Sequence, residues 1–206
     1  MTSGRVGMST SKRHGLFVAA VVALTAWAMA PMASAASWGV VGTTHVLDSP
    51  AFTLDTNLNG FAVAAASCAQ SRLHVEVQST AALTVTGASF NNCQASGYTA
   101  GCAVTADAAN LPWIVTAPAT TNVSVDNTQV NVTFTTTGST FCVFKDSPPF
   151  IMTGRLGGGT WNQAQHEITF ANQTGLTSHF PVGGPFPTVV AGTLRDTSQT
   201  LSLVDS

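Results

Sequence analysis

Apolar and polar side chains alternate along most of this chain with a period of two residues. The alternation is clearest in LHVEVQ at 73–78, VSVD at 123–126 and VNVTFT at 130–135, where every second residue is apolar. A period of two places successive side chains on opposite faces of a β-strand. After residue 35 no segment keeps a period of 3.6 over three helical turns, so the sequence predicts an all-β fold. Further strands are predicted at 39–46, 60–66, 82–90, 102–106, 112–117, 140–145, 150–156, 166–171, 187–195 and 199–204.

Clusters of Gly, Pro, Asn, Asp and Ser separate the predicted strands. They are typical of turns, and the glycine run at 157–159 is predicted to be the tip of a hairpin. Short strands separated by turns indicate an antiparallel β-sandwich or a small β-barrel, and the pattern leaves both open. Parallel βαβ folds are excluded because no crossover helices are predicted.

The first 35 residues have the three zones of a secretory signal peptide. Residues 1–15 contain three bases and no acid, residues 16–30 contain a single polar side chain, and Ala-Ser-Ala follows at 33–35. We therefore expect a helical signal peptide at 1–35, cleaved before Ala36, and one domain at 36–206. The apolar run is shorter than the about 20 residues of a spanning helix, so no stable membrane span is expected after cleavage.

The charge balance of residues 36–206 excludes several partners. They contain nine acids and four bases, which gives a net charge of −5. Four scattered bases cannot neutralise a run of phosphates, so nucleic acid is not expected as a partner. Charged residues make up 8% of the whole sequence, against about 25% in ordinary globular proteins. The polar surface is therefore expected to consist mainly of Thr, Ser, Asn and Gln.

The four cysteines predict two disulfides in an oxidising compartment. They are Cys68, Cys93, Cys102 and Cys142, and all follow the predicted cleavage site. Of the three possible pairings, the sequence favours Cys93–Cys102, because the loop between them contains two glycines, with Cys68–Cys142 joining distant strands. A zinc site is disfavoured because there is no C-x-x-C pair.

No residue pattern predicts a catalytic, cofactor-binding or metal site. There is no G-x-S-x-G motif, and 157–159 lacks the Lys and Ser/Thr of a phosphate-binding loop. His166 and Glu167 are neighbours on a predicted strand, so they face opposite sides and cannot bind one ion together. Trp113, which follows Pro112, is predicted to anchor the core. We therefore expect no enzymatic activity and no cofactor.

Several short motifs resemble those of small secreted β-proteins of bacteria. They are Ser67-Cys68, LHVE at 73–76, Asn92-Cys93, CAVT at 102–105, NLPW at 110–113 and a late Cys142. In this order they are similar to the family named protein activator of alkane oxidation and to related secreted proteins of actinobacteria. TGRL at 153–156, HEITFAN at 166–172 and AGTLR at 191–195 are similar as well, so the resemblance covers residues 45–205. It implies a secreted or surface protein with a supporting role, and it implies no catalytic residues.

Export, disulfides, low charge and the missing chemistry predict a non-enzymatic protein that is secreted, extracellular or associated with the cell envelope. Its partner is left open, including a role in the envelope or self-association through the strand-prone segment 129–137. The alternative is an extracellular binding module for an apolar small molecule inside a closed barrel. The candidate lining residues are Phe52, Phe61, Phe90, Phe134, Phe141 and Phe144.

A secreted hydrolase is a third and weaker hypothesis. It requires one of the four histidines that follow residue 35 to meet a carboxylate or a serine in a cleft. These histidines are His45, His74, His166 and His179.

Overall fold

The structure is a computed structural model that describes residues 36–58, 61–137, 141–180 and 185–205. The predicted signal peptide at 1–35 lies outside the described residues. No helix in the described part of the chain is long and apolar enough to cross a membrane. The strands are β1 Ser37–Trp38, β2 Thr44–Ser49, β3 Phe52–Leu58, β4 Phe61–Ser79, β5 Ala82–Ser96, β6 Cys102–Ala109, β7 Trp113–Ala119, β8 Asn122–Thr136, β9 Phe150–Asn162, β10 Glu167–His179, β11 Pro185–Asp196 and β12 Leu203–Val204.

Eight strands form a closed antiparallel barrel. The order around the wall is β3, β4, β5, β6, β8, β9, β10 and β11, and β11 pairs with β3 to close it. Each wall strand is therefore paired on both sides, and the barrel has no open edge among the described strands. The all-β prediction is confirmed, and the barrel is the architecture observed.

Two positions in the barrel wall are each occupied by two shorter strands in line. β2 and β3 both lie between β4 and β11, and β6 and β7 both lie between β5 and β8. Pro50 separates β2 from β3, and Pro112 separates β6 from β7. Proline has no N–H to donate to a strand ladder, which favours an interruption at these two positions.

Three asparagines reset the alternation within long strands. Asn92 in β5, Asn127 in β8 and Asn172 in β10 have φ values of 51°, 58° and 51°. Asparagine tolerates this left-handed region better than most residues. The strand register shifts next to each of them. Around Asn127, for example, the buried side chains Val125 and Thr128 are three residues apart instead of two, which is typical of a β-bulge.

One end of the barrel is covered by the small sheet of β1 and β12. Trp38 of β1 is almost completely buried and meets Trp161 edge to face, with ring centroids 5.7 Å apart. Leu201 and Leu203 are buried in the same core. The backbone N–H of Trp38 donates to Thr80, between β4 and β5, which ties this sheet to the barrel rim. We call this the plugged end.

The other end of the barrel is filled by phenylalanine rings. Phe150 contacts Phe134, Phe144 and Phe180, with centroids 5.2, 4.9 and 4.4 Å apart, and Phe180 contacts Phe186 at 4.9 Å. These pairs are edge to face, which is a favourable arrangement for aromatic rings. Phe144 comes from the connection between β8 and β9, so the cluster holds that connection against the barrel.

The four cysteines form two disulfides, as predicted, but the predicted pairing is wrong. The bonds are Cys68–Cys93 and Cys102–Cys142, whereas the sequence favoured Cys93–Cys102 and Cys68–Cys142. Cys68 and Cys93 stand directly opposite each other on β4 and β5, a strand register that cysteine spacing does not reveal. The second bond ties the start of β6 to the connection between β8 and β9.

Several predicted strands differ in extent from those observed. The predicted strand 60–66, over its described residues 61–66, and the predicted strand 73–78 belong to one strand, β4, and the sequence pattern does not predict β3. The predicted strand 140–145 is wrong over its described residues 141–145, which form a connection with turns. The glycine run at 157–159 lies inside β9 and not at a hairpin tip. A Cβ at Gly159 would lie 2.6 Å from the ring of Phe170, so glycine leaves room for that ring.

The segment 129–137, predicted to be strand-prone, lies mainly in β8. This strand is hydrogen-bonded to β6 on one edge and to β9 on the other. Both edges are therefore occupied within the chain, and β8 offers no edge for pairing with a second molecule.

Gly154 of β9 is expected to be intolerant of a side chain. Its φ is +143°, and a Cβ there would overlap the backbone carbonyl oxygen of Gly175. We expect Gly154→Ala to lower the free energy of unfolding by about 2 kcal/mol, because the strain and the clash add. Gly157→Ala is the matched control, since a Cβ at Gly157 meets nothing within 4 Å. Equal losses for the two variants in urea titrations would contradict this account.

Candidate functional site

A cleft of about 1000 Å³ opens on the outer wall of the barrel beside Pro50, where β2 ends and β3 begins. We call it the lateral cleft. Residues of β2, β4, β5, β10 and β11 line it, together with the residues that follow β11. Apart from Pro50 and Ala69, every lining residue has a polar or charged side chain. The cleft therefore offers many hydrogen-bonding groups, and its apolar surface comes mainly from the carbon atoms of polar residues.

Four charged side chains cross the lateral cleft in one row. They are Glu167, Arg195, Asp48 and Arg72, from β10, β11, β2 and β4, and each stands directly opposite the next in strand register. We call them the charge row. Opposite charges on directly opposed strand positions attract each other. The sequence suggested that the four bases after residue 35 are scattered. Two of them instead lie together in this row.

The Arg72 guanidinium binds the Asp48 carboxylate through two parallel hydrogen bonds. Nε donates to Oδ1 at 2.7 Å and Nη2 donates to Oδ2 at 2.9 Å. The hydrogen bond from Arg72 lowers the pKa of Asp48 below its usual 3.8, and the positive charge of Arg72 adds to this against the opposing effect of burial. Asp48 therefore stays ionised through neutral and mildly acidic pH, and the bidentate geometry fixes both side chains.

Arg195 forms the second ion pair of the charge row. Its Nε and Nη2 both donate to Oε2 of Glu167, at 3.1 and 2.8 Å. Glu167 is largely buried, whereas the Arg195 side chain is 55% exposed and that of Arg72 is 54% exposed. A guanidinium has five N–H donors, and these contacts use two in each arginine. Both arginines therefore keep donors that face solvent.

Ser71 is a buried polar residue in the lining of the lateral cleft. It is 2% exposed, and its hydroxyl has no hydrogen-bond partner among the described residues. An unsatisfied buried hydroxyl costs roughly 1–3 kcal/mol. Ser71 stands opposite Ser49 on β2 and Phe90 on β5, which face the core, so its hydroxyl lies on the other face of β4 from the charge row.

A second cleft, of about 600 Å³, lies beside Pro112, at the interruption between β6 and β7. It contains another ion pair, in which Nε of Arg155 lies 3.2 Å from Oδ1 of Asp126. Arg155 also donates to the hydroxyl of Ser124 at 2.9 Å. This cleft has one ion pair and no row of charges across several strands.

The interior of the barrel is nearly full. The cavity in it measures about 30 Å³ and is lined almost entirely by apolar side chains, including Phe52, Phe90 and Trp113. Pockets for small organic ligands measure about 300–1,000 Å³. The described interior thus has no room for an apolar ligand. Of the six candidate lining phenylalanines, Phe134 is buried in the core and Phe141 is largely exposed.

His45 is the one of the four candidate histidines that meets a carboxylate among the described residues. Its Nδ1 lies 3.4 Å from Oδ2 of Asp196, and its Nε2 lies 2.9 Å from Oγ1 of Thr43. A hydroxyl, an imidazole and a carboxylate in this order resemble a hydrolase triad. The Thr43 hydroxyl also bonds to the carbonyl of Val40 at 2.7 Å, however, and neither Thr43 nor His45 lines either cleft.

Asp196 instead holds a turn next to the plugged end. Its carboxylate accepts hydrogen bonds from the backbone N–H groups of Ser198, Thr200 and Leu201, at 3.2, 2.9 and 2.8 Å. Asp196 is completely buried. The contacts of His45 and Asp196 therefore fix the chain after β11, and the geometry favours a structural role for them.

Two further residues singled out in the sequence lie outside any shared site. His166 lies in the turn before β10, with its Nδ1 2.7 Å from the Leu201 carbonyl, while Glu167 begins β10 and lines the lateral cleft. Trp113 is buried and donates its Nε1–H to Ala109, which confirms it as a core anchor. Within the described ranges, no three His, Cys, Asp or Glu side chains are placed to hold a metal ion.

Asp55 on β3 is a titratable group outside the lateral cleft. Partial burial raises its pKa above the usual 3.8, so its ionised form destabilises the fold at neutral pH. We expect Asp55→Asn to raise the free energy of unfolding at pH 7 by up to about 1 kcal/mol, discounted for its partial exposure. The gain should vanish as the pH falls through the raised pKa, because Asp55 is then protonated. Asp107→Asn on the exposed face of β6 removes the same charge, and in urea titrations it should show no comparable gain.

Comparisons of the chain with protein-family models, with curated proteins and with solved structures gave no match.

Proposed function

We propose that this chain is an exported, non-enzymatic protein of the cell surface or extracellular matrix that binds its partner in the lateral cleft. The observation that carries the proposal is the contrast between a filled barrel interior and a polar cleft on the outer wall. A barrel that binds a small molecule needs interior volume. A barrel whose interior is packed presents its binding groups on the outside.

Export is supported by two independent features. The first is the leader pattern at 1–35, with its basic start, apolar run and Ala-Ser-Ala triplet. The second is the pair of disulfides, which persist in oxidising compartments and are typical of extracellular proteins. The resemblance to the protein activator of alkane oxidation family is in keeping with this location, and membership of that family remains a prediction.

The proposal is tested by fractionating the native host and determining the intact mass of the recovered protein. We expect the protein outside the cytoplasm, beginning at Ala36 and four hydrogens lighter than the reduced chain. A full-length cytoplasmic chain with free thiols would overturn the location. Turnover of ester, glycan or peptide substrates that is abolished by Thr43→Ala or His45→Ala would overturn the non-enzymatic assignment and establish a hydrolase.

A further inference from the structure

We propose that the lateral cleft binds a neutral saccharide segment of a surface or matrix glycan. This inference rests on the proposed function and names the class of ligand for the same site. It starts from the chemistry of the lining, because hydroxyl, amide, guanidinium and carboxylate groups are present together and apolar side chains are nearly absent.

The charge row matches a ligand that both donates and accepts hydrogen bonds. Each sugar hydroxyl has one donor hydrogen and two acceptor lone pairs, so it can accept from a guanidinium and donate to a carboxylate. Arg72 and Arg195 keep unused N–H donors, and Oε1 of Glu167 is not used by Arg195. A neighbouring donor and acceptor in the row can therefore engage one hydroxyl together.

The charge row also disfavours an anionic ligand. Its two bases and two acids sum to zero, Asp196 adds a further acid to the cleft lining, and residues 36–206 carry a net charge of −5. An anionic polymer thus meets arginines already paired with carboxylates, inside a protein that repels it. An apolar ligand would bury charged and amide groups without partners, which costs free energy.

The groups of the cleft are held in place before a ligand arrives. Asp48 and Arg72 lie on hydrogen-bonded strands in direct register, and two parallel hydrogen bonds lock their side chains together. A site fixed in this way loses little conformational entropy on binding. The small entropy loss matters for a saccharide, because its hydroxyls give up hydrogen bonds to water when they bind to the protein.

The polar lining continues beyond the charge row. Ser89 stands opposite Arg72 on β5, and Asn91 of the same strand stands opposite Gln70 of β4. Further donors and acceptors are therefore available to a saccharide that extends past the row.

The test is affinity electrophoresis of the exported protein in native gels that contain a soluble polysaccharide. The neutral polymers are dextran, mannan, laminarin and arabinogalactan, and the anionic comparison is polygalacturonate. We expect retardation by at least one neutral polymer. Two substitutions should each raise the apparent Kd about tenfold or more. Ser89→Trp fills the cleft from an exposed position, and Arg72→Lys keeps the positive charge but loses the planar guanidinium with its paired donors.

Matched controls come from other parts of the barrel wall. Thr135→Trp places the same ring at an exposed position of β8, and Arg155→Lys alters the ion pair beside Pro112 in the same way. Both should leave retardation within about twofold of the unsubstituted protein. Near-ultraviolet circular dichroism establishes that each variant is folded, and Arg72→Lys gives a second test if Ser89→Trp does not fold.

The outcomes separate this inference from the proposed function. Three results would each overturn the saccharide assignment. No neutral polymer retards the protein, only polygalacturonate retards it, or Arg155→Lys weakens the retardation as much as Arg72→Lys does. In those cases binding of the protein to intact host cells is measured next. If Ser89→Trp abolishes this binding and Thr135→Trp does not, the surface function stands with another partner. If the binding is insensitive to Ser89→Trp, the function of the cleft is removed as well.

Discussion

Replacement of both Cys102 and Cys142 by alanine is expected to lower the free energy of unfolding by about 4 kcal/mol. The bond closes a loop with a sequence separation of 40 residues, and the chain-entropy estimate for a loop of that size is roughly 4 kcal/mol. Both cysteines are also buried, so the smaller alanines leave space in the core. Urea titrations of the oxidised protein and the double variant measure the difference.

The same double variant should release the connection between β8 and β9. That connection carries Phe144, which packs against Phe134 and Phe150, and Lys145, which is a site for trypsin. We expect cleavage after Lys145 to become faster once the bond is absent. The matched control replaces Cys68 and Cys93, whose bond joins adjacent strands over a sequence separation of 25 residues. This variant should lose a similar free energy of unfolding, but cleavage after Lys145 should not become faster. Faster cleavage in the control, and not in the variant that lacks Cys102 and Cys142, would contradict this account.

Asp196→Asn is expected to lower the free energy of unfolding by about 3 kcal/mol, or the melting temperature by roughly 6–12 °C. The Asp196 carboxylate accepts three backbone N–H bonds. An amide of the same size keeps one acceptor oxygen and turns an NH₂ group toward backbone donors. The turn that leads from β11 to the buried Leu201 then loses its anchor.

A second aspartate provides the control for Asp196. Asp205 also accepts a backbone N–H, from Thr120 at 3.0 Å, and a bond from the Thr120 hydroxyl at 2.8 Å, but it is exposed. Asp205→Asn is therefore expected to cost less than about 1 kcal/mol, because water replaces the lost bonds. Thermal melts of the two variants at pH 7 make the comparison, and equal shifts would refute the role of burial.

The effect of Asp196→Asn should depend on pH. Burial alone would raise the pKa of Asp196, but the hydrogen bonds from the Leu201 N–H, the Ser198 side chain and the N–H groups of Thr200 and Ser198 outweigh it and lower the pKa below the usual 3.8. The unfolded chain therefore binds the proton more readily than the folded one. The stabilisation by Asp196 is complete above the unfolded pKa and is lost as the pH falls through the lowered folded value. The gap between the original protein and the variant should close over that acidic range.

The fold class follows from the sequence because alternation with a period of two is a local property. It is readable in β4 and β8, where apolar residues face the core at every second position. Asn92, Asn127 and Asn172 limit this reading, because each inserts a bulge that shifts the phase of the pattern. A strand with a bulge looks like two short strands or like one strand that ends early, as in the prediction 166–171 for β10.

The disulfide pairing and the charge row could not be predicted because both depend on strand register. The two glycines in the intervening loop suggested Cys93–Cys102, whereas the pairing of β4 with β5 brings Cys68 to Cys93. Asp48, Arg72, Glu167 and Arg195 are spread over almost 150 residues and meet only after the barrel closes. What the sequence does show is that Arg72 lies in the polar phase next to the apolar series that begins at Leu73.

The closure of the barrel imposes an order on folding. Thr53 of β3 donates its hydroxyl to the carbonyl of Ala191 in β11, across 138 residues of chain, and neighbouring residues of these strands form the closing ladder. The first half of the wall cannot acquire its last neighbour until β11 has been made. Long-range pairing of this kind slows folding, because a large loop must close before its contacts form. The polypeptide is consequently expected to stay open during synthesis, which is the state that a secretion channel accepts.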